Sequence, residues 1–257
     1  MRKRNTLFGI VSISIWILAV TANAQIPMEV YQNPENLQVL PPDISPEELR
    51  DTMFSIGQQV GLRCAKCHDF DVDTPFAERD YASDQKELKR VAREMMLMIR
   101  GINDAVSAID RGPDHKAIAV QCVTCHRGVN QPRQIDEIFR TAVNEDGLSS
   151  AIAQYRELRE SWYAVGAYDF SAWGLGGIAQ SIFDSGDTEG GMQVHGLNLE
   201  LNRDDGSVYF HRAESYEKQG RIEEAVSDFE RALELEEDSF GFLRDRIPRL
   251  KAELENQ

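Results

Sequence analysis

The sequence predicts a mostly α-helical chain in two parts: two successive helix–Cys-x-x-Cys-His units, then a run of short helical repeats. Three observations lead there. The only four cysteines in 257 residues are Cys64, Cys67, Cys122 and Cys125, two Cys-x-x-Cys pairs followed at once by His68 and His126. The stretch before each pair carries apolar residues at helical spacing. Beyond Pro132 cysteine disappears, and a 34-residue period takes over.

Composition narrows the function classes. With 43 acidic against 28 basic residues the formal net charge is −15, so the chain lacks the basic face that a phosphate backbone demands, and nucleic acid is not an expected partner. A hydrophobic content of 42% is ample for packed cores and excludes wholesale disorder.

In chain order, residues 1–24 read as a signal peptide. Arg2, Lys3 and Arg4 are its basic start, an apolar run follows over 7–20, and Ala22-Asn23-Ala24 supplies the small-residue cleavage pattern. That run is shorter than the ~20 residues of a spanning helix. The expected mature chain begins at Gln25 in the periplasm, more acidic for the loss of its basic leader.

Ser45-Pro46-Glu47-Glu48 is a capping box with proline at the first helical position, so a helix starts there and runs to about Val60. Leu49, Met53, Ile56 and Val60 share one stripe of it, and Met53 is the only soft metal ligand on that stripe. Asp84 is expected to open a second, longer helix to about Asn103, with Leu88, Val91, Ala92, Met95, Ile99 and Ile102 as its apolar face. Met95 and Met98 fall near that face and Met96 to its side. Between the helices Asp69, Asp71 and Asp73 alternate like a calcium loop, but without its sharp-turn glycine, and read as a solvated acidic loop.

Cys64-Ala65-Lys66-Cys67-His68 and Cys122-Val123-Thr124-Cys125-His126 fit covalent attachment of c-type haem. Two thiols at this spacing reach two vinyl groups of one porphyrin, and the adjoining imidazole falls under the iron. Four cysteines could also build a zinc ribbon, but the twin histidines and the secretory leader favour two haems, with His68 and His126 as proximal ligands. The sixth ligand then separates an electron carrier from a site open to peroxide. Candidates are Met53 for the first iron and Met95, Met98 or His115 for the second.

Several motifs in order resemble one family. Asn36-Leu37-Gln38-Val39-Leu40-Pro41, Glu48-Leu49-Arg50-Asp51-Thr52-Met53, Tyr81-Ala82-Ser83-Asp84, Val91-Ala92-Arg93-Glu94-Met95 and Cys122-Val123-Thr124-Cys125-His126-Arg127-Gly128 are similar to the haem-binding module of the cytochrome c subunit of photosynthetic reaction centres. The likeness covers about 36–130. It implies that the helix before each Cys-x-x-Cys-His supplies a methionine to iron, Met53 for the first haem and Met95 for the second. It also implies a carrier of single electrons rather than an enzyme, like the subunit that re-reduces the photo-oxidised pigment. Family members carry four haems in two such units; this chain has one unit with two, and no cysteine for a lipid anchor. A respiratory complex is therefore as compatible a partner as a membrane reaction centre. A dihaem peroxidase is the alternative reading.

In the back half Gly186-Asp187-Thr188-Glu189-Gly190-Gly191 recurs as Gly220-Arg221-Ile222-Glu223-Glu224-Ala225. With Ala213, Tyr216, Phe229 and Ala232 at the small and aromatic positions, this looks like a tetratricopeptide repeat at 204–237, with a degenerate copy at 170–203 in which Gly191 and His195 replace the packed alanine and phenylalanine. His195 is thus expected in the core rather than on a metal. Residues 135–162 read as helix, with Ala151, Tyr155 and Leu158 resembling the second helix of another repeat unit, and 239–255 as a polar capping helix interrupted near Pro248. The expected division is 25–132 for the dihaem domain and 133–257 for the repeats, whose concave face would dock a peptide or protein; a third reading makes such docking the main role. Residues 204–238 hold 12 acids and 4 bases, so at least one redox partner, donor or acceptor, is expected to be basic. Arg127, beside the second haem, is a candidate for a haem propionate.

Overall fold

The computed structural model describes residues 26–110 and 118–255; the leader and His115 lie outside them. Eleven α-helices are present among the described residues: α1 (Pro46–Gln59), α2 (Glu87–Ser107), α3 (Cys122–His126), α4 (Ile135–Asp146), α5 (Leu148–Trp162), α6 (Ala172–Asp184), α7 (Thr188–Asn202), α8 (Gly206–Lys218), α9 (Ile222–Leu235), α10 (Glu237–Phe240) and α11 (Leu243–Glu255). Among the described residues the only β-pairing is an isolated Asp69–Asp80 bridge. None of the described helices is long and apolar enough to cross a membrane.

The start of α1 is the expected one. Ser45 Oγ accepts from the Glu48 amide, and the Glu48 carboxylate accepts from the Ser45 amide, with Pro46 just inside. The second helix departs from expectation. It begins at Glu87, not at Asp84, because the Asp84 carboxylate is already engaged by Arg93 at 2.7 Å and by Gln38 at 3.1 Å and is not available as a cap. Those bonds belong to a larger tie. Asn36 donates to the Ala82 carbonyl, and Arg93 and Arg100 donate to the carbonyls of Asn36 and Val39. The Asn36–Leu40 and Tyr81–Asp84 segments are thereby locked onto α2.

The back half is a stack of antiparallel helix pairs, α4/α5, α6/α7 and α8/α9, closed by α11. The helical stretch 135–162 is divided into α4 and α5 where the chain turns at Gly147 with φ +85, so that Ala151, Tyr155 and Leu158 lie on the second helix of a pair. Phe139, Ala151, Tyr155, Leu175, Ala179 and Val194 fill one core, and Phe210, Ala213, Ala225, Phe229, Phe240 and Leu243 a second. Gly191 explains the degenerate repeat: a Cβ there would lie 2.8 Å from Phe183 Cβ and 3.0 Å from the Ala179 carbonyl oxygen, so α6 and α7 pack more closely than alanine permits. The last helix also differs from expectation. The interruption falls between α10 and α11, at 241–242, while Pro248 sits inside α11, which buries Leu243, Ile247 and Leu250 and so is not wholly polar.

Candidate haem-binding site

Each Cys-x-x-Cys-His forms a single tight turn. At the first, a 3-10 turn (Cys64–Lys66) is closed by the amides of Cys67 and His68 on the Cys64 carbonyl. At the second, α3 carries both cysteines and the histidine, with Arg127 ending it in a left-handed conformation. Cysteines three apart on one such turn share a face, as two thioethers to one macrocycle edge require. Burial pushes the Cys67 thiol up from its ordinary pKa, the neighbouring Cys64 adding to this.

The histidines carry a feature that spacing does not reveal. His68 Nδ1 lies 3.1 Å from the Tyr81 carbonyl oxygen, and His126 Nδ1 lies 3.0 Å from that of Val129. A carbonyl only accepts, so each Nδ1 carries a proton, and in the neutral ring Nε2 is then the nitrogen with the free lone pair. An iron ligand needs this tautomer, and the carbonyl also fixes the ring orientation. Burial, reinforced by the nearby Lys89 and Arg93 charges against the opposing Tyr81 hydrogen bond, holds the His68 pKa below the usual imidazole value, which favours the neutral ring.

Met53, Cys64 and His68 line one cavity of about 640 Å³, together with Tyr31, Arg79 and Tyr81. That volume is in the range of pockets that bury a cofactor-sized ligand. α1 brings Met53 to the cavity from one side, and the Cys64 turn brings His68 from another. The residues therefore fit a haem at this position. Arg79 is held in place between the Phe70 and Phe76 rings, 4.5 and 4.1 Å from their centroids, and donates to the carbonyls of Val72 and Thr74. The 69–80 segment is thus a closed loop, and among the described residues no cluster of its acids is arranged to hold a metal ion.

The second site is built differently. Asn103 donates to the Val120 carbonyl at 2.9 Å and accepts from the Val120 amide at 2.7 Å, which ties the end of α2 to the lead-in of Cys122. Gln59, at the end of α1, accepts from the Val123 amide through its side chain and from the Gly128 amide through its carbonyl. A crevice of about 480 Å³ between α1 and α2 is lined by Gln59, Met96, Ile99 and Cys122. Met96, expected at the side of α2, is thus the methionine in Cys122's crevice. Met95 lies on a neighbouring stripe with Val91, Met98 and Ile102, all more than a third exposed, Met95 at 41%. Such an uncovered apolar stripe on an amphipathic helix is a surface shaped to be covered. Arg127 reaches the Gly166 carbonyl at 3.4 Å.

In the repeats His195 is fully buried, as expected of a core residue. Its Nε2 is 2.8 Å from Ser215 Oγ, which in turn donates to Gln180. Burial first, then the His211 and Arg212 charges, push its pKa down to about 3.

A family model described as photosynthetic reaction centre cytochrome C subunit matches residues 14–171, and a tetratricopeptide repeat model matches 207–239. The photosynthetic reaction center cytochrome c subunit of Thermochromatium tepidum is 25% identical over 112 residues, 38% of this chain and 27% of that protein. The chain therefore spans about a quarter of the length of this curated relative.

Proposed function

The chain belongs to the photosynthetic reaction centre cytochrome c subunit family, and from that premise we propose that it is a periplasmic dihaem cytochrome that passes single electrons between a donor and an acceptor. The observation that carries the reading is the pair of Nδ1–carbonyl hydrogen bonds, made by both histidines of the two Cys-x-x-Cys-His turns. A c-type haem held there supplies one-electron redox chemistry. Cys64 and Cys67 tether the first macrocycle and Cys122 and Cys125 the second; His68 and His126 each offer Nε2. Met53 is the distal ligand proposed for the first iron, and Met95, on the uncovered stripe of α2, for the second. Arg127, next to His126, is the cation proposed for a propionate. Thioether ligation favours reduced iron and suits a carrier at the higher-potential end of a chain.

The dihaem domain is placed at 25–132, after a cleaved leader at 1–24, and the repeats at 133–257. The acidic repeats are proposed to dock a basic redox partner, a membrane reaction centre or a respiratory complex, with an association rate that falls as salt rises.

Haem quantitation on the secreted protein should find two covalent haems per chain, and the oxidised spectrum should show the methionine-to-iron band. Met53→Ala and Met95→Ala should each lower one midpoint potential without loss of haem. If Met95→Ala moves neither, the ligand is sought at Met96 or Met98. A high-spin, cyanide-binding iron at rest would replace the carrier reading by a dihaem peroxidase.

A further inference from the structure

The carbonyls that hold the two histidines differ in what else they bind. Among the described residues, no side chain other than His126 donates to the Val129 oxygen. The Tyr81 oxygen accepts from His68 at 3.1 Å and also from Lys89 Nζ at 2.8 Å. Lys89 reaches the Ala82 and Ser83 carbonyls at 2.8 Å as well, so its three N–H groups close on three consecutive carbonyls. Its side chain is only 12% exposed, and an ammonium withdrawn from water polarises its acceptors strongly. The neighbouring charges do not cancel that contact. Asp84 lies 3.4 Å from Nζ but is claimed more closely by Arg93 at 2.7 Å, and Asp80 is turned to the Ala82 and Ser83 amides at 2.9 and 2.8 Å. Lys86, a further cation of this segment, pairs with Asp69 at 3.6 Å.

A strong acceptor on Nδ1–H draws a ligating imidazole toward imidazolate and stabilises the oxidised metal; a weakened acceptor does the reverse. We propose that Lys89 is a positioning residue that raises the reduction potential of the first haem, by drawing electron density from the one carbonyl that orients His68. The inference rests on His68 as an iron ligand. Its direct field acts in the same sense, since a nearby cation disfavours the more positive iron.

The experiment is a redox titration of the full haem-loaded chain and of Lys89→Met, Lys89→Gln and Lys89→Arg, with the first-haem midpoint identified as the one that Met53→Ala moves. Lys89→Met is expected to shift the first-haem equilibrium about three- to tenfold toward the oxidised state, ~30–60 mV at 59 mV per tenfold, with the second midpoint unchanged. The His68 Nδ1 proton resonance should move downfield as its hydrogen bond tightens. Lys89→Arg, which keeps the charge, should restore most of the potential. If Lys89→Met fails to load haem, Lys89→Gln, which keeps amide donors without the charge, carries the same expectation. A first midpoint that moves less than twofold in the uncharged variant, or two midpoints that move together, overturns the inference. Absence of covalent haem from the wild-type chain would instead overturn the reading on which it rests.

Discussion

A Cβ at Gly61 would lie 2.0 Å from the carbonyl oxygen of Gly128. These residues follow α1 and the second Cys-x-x-Cys-His turn, and their backbones touch because Gly61, at φ +66, has no side chain to hold them apart. The contact draws the second turn against the end of α1, three residues before Cys64, and so sets the spacing between the two proposed sites.

Gly61→Ala should therefore separate the two turns. Left-handed strain and a clash with backbone, which cannot rotate away, together cost about 2 kcal/mol or more. Denaturant unfolding of the haem-loaded protein should show that loss, and any electronic coupling between the haems should weaken. A stability equal to wild type would mean the contact is not made.

Asn103 ties down the second site and, among the described residues, makes no bond to the first. Asn103→Ala leaves the amide and carbonyl of Val120 without partners, and about 1–3 kcal/mol is expected to be lost. The spectrum of the second haem should broaden or shift while the first stays as it was. Equal perturbation of both would contradict the local role given to this bond.

The buried histidine makes the repeats acid-sensitive. Unfolded His195 takes up a proton near pH 6.5, whereas folded His195 does so only at about 3. Between those values the unfolded chain binds the extra proton. The contribution is therefore fully present above about pH 6.5 and lost as pH falls toward 3, with a slope of up to ~1.4 kcal/mol per pH unit. His211, also lowered by burial, acts in the same direction. Unfolding midpoints between pH 7 and 4.5 should drop less steeply in His195→Phe than in the wild type; parallel curves would remove His195 as the cause.

Across α8 and α9, Arg212 meets Asp228 through two bonds of 2.7 and 2.8 Å. Asp228 is buried and Arg212 largely so. Asp228→Ala strands the guanidinium, and a loss of about 2–4 kcal/mol is expected, less than for a fully buried pair because Arg212 keeps some water. Thermal unfolding should place the whole effect on the repeat region, with the haem potentials unmoved. A variant as stable as the wild type would show that the pair contributes nothing net.

Local chemistry was legible without coordinates. Two cysteines and a histidine at fixed spacing need only one turn of chain to meet a porphyrin edge, and Ser45 with Glu48 needs only the first turn of α1. The repeat was legible for a related reason: each helix pair packs on its neighbour, so the period itself marks the small residues at the crossings. Asp84 shows where such reading stops. It has the look of a helix cap, but Arg93, in the second turn of α2, and Gln38, distant in sequence, take its carboxylate first.

The sequence by itself determined the helical class and the repeat, and singled out the cysteines and histidines proposed for attachment and ligation, because each pattern lies within a few residues or a strict period. Tertiary structure decided the rest. Adjacent helix positions differ by only about 100°, so periodicity could not say whether Met95 or Met96 would face Cys122's crevice; the placement of α2 across that crevice from α1 put Met96 there and left Met95 uncovered. Nor could it show that one carbonyl, Tyr81's, serves both His68 and Lys89, since that sharing exists only once the 69–80 loop has closed and α2 has docked beside it.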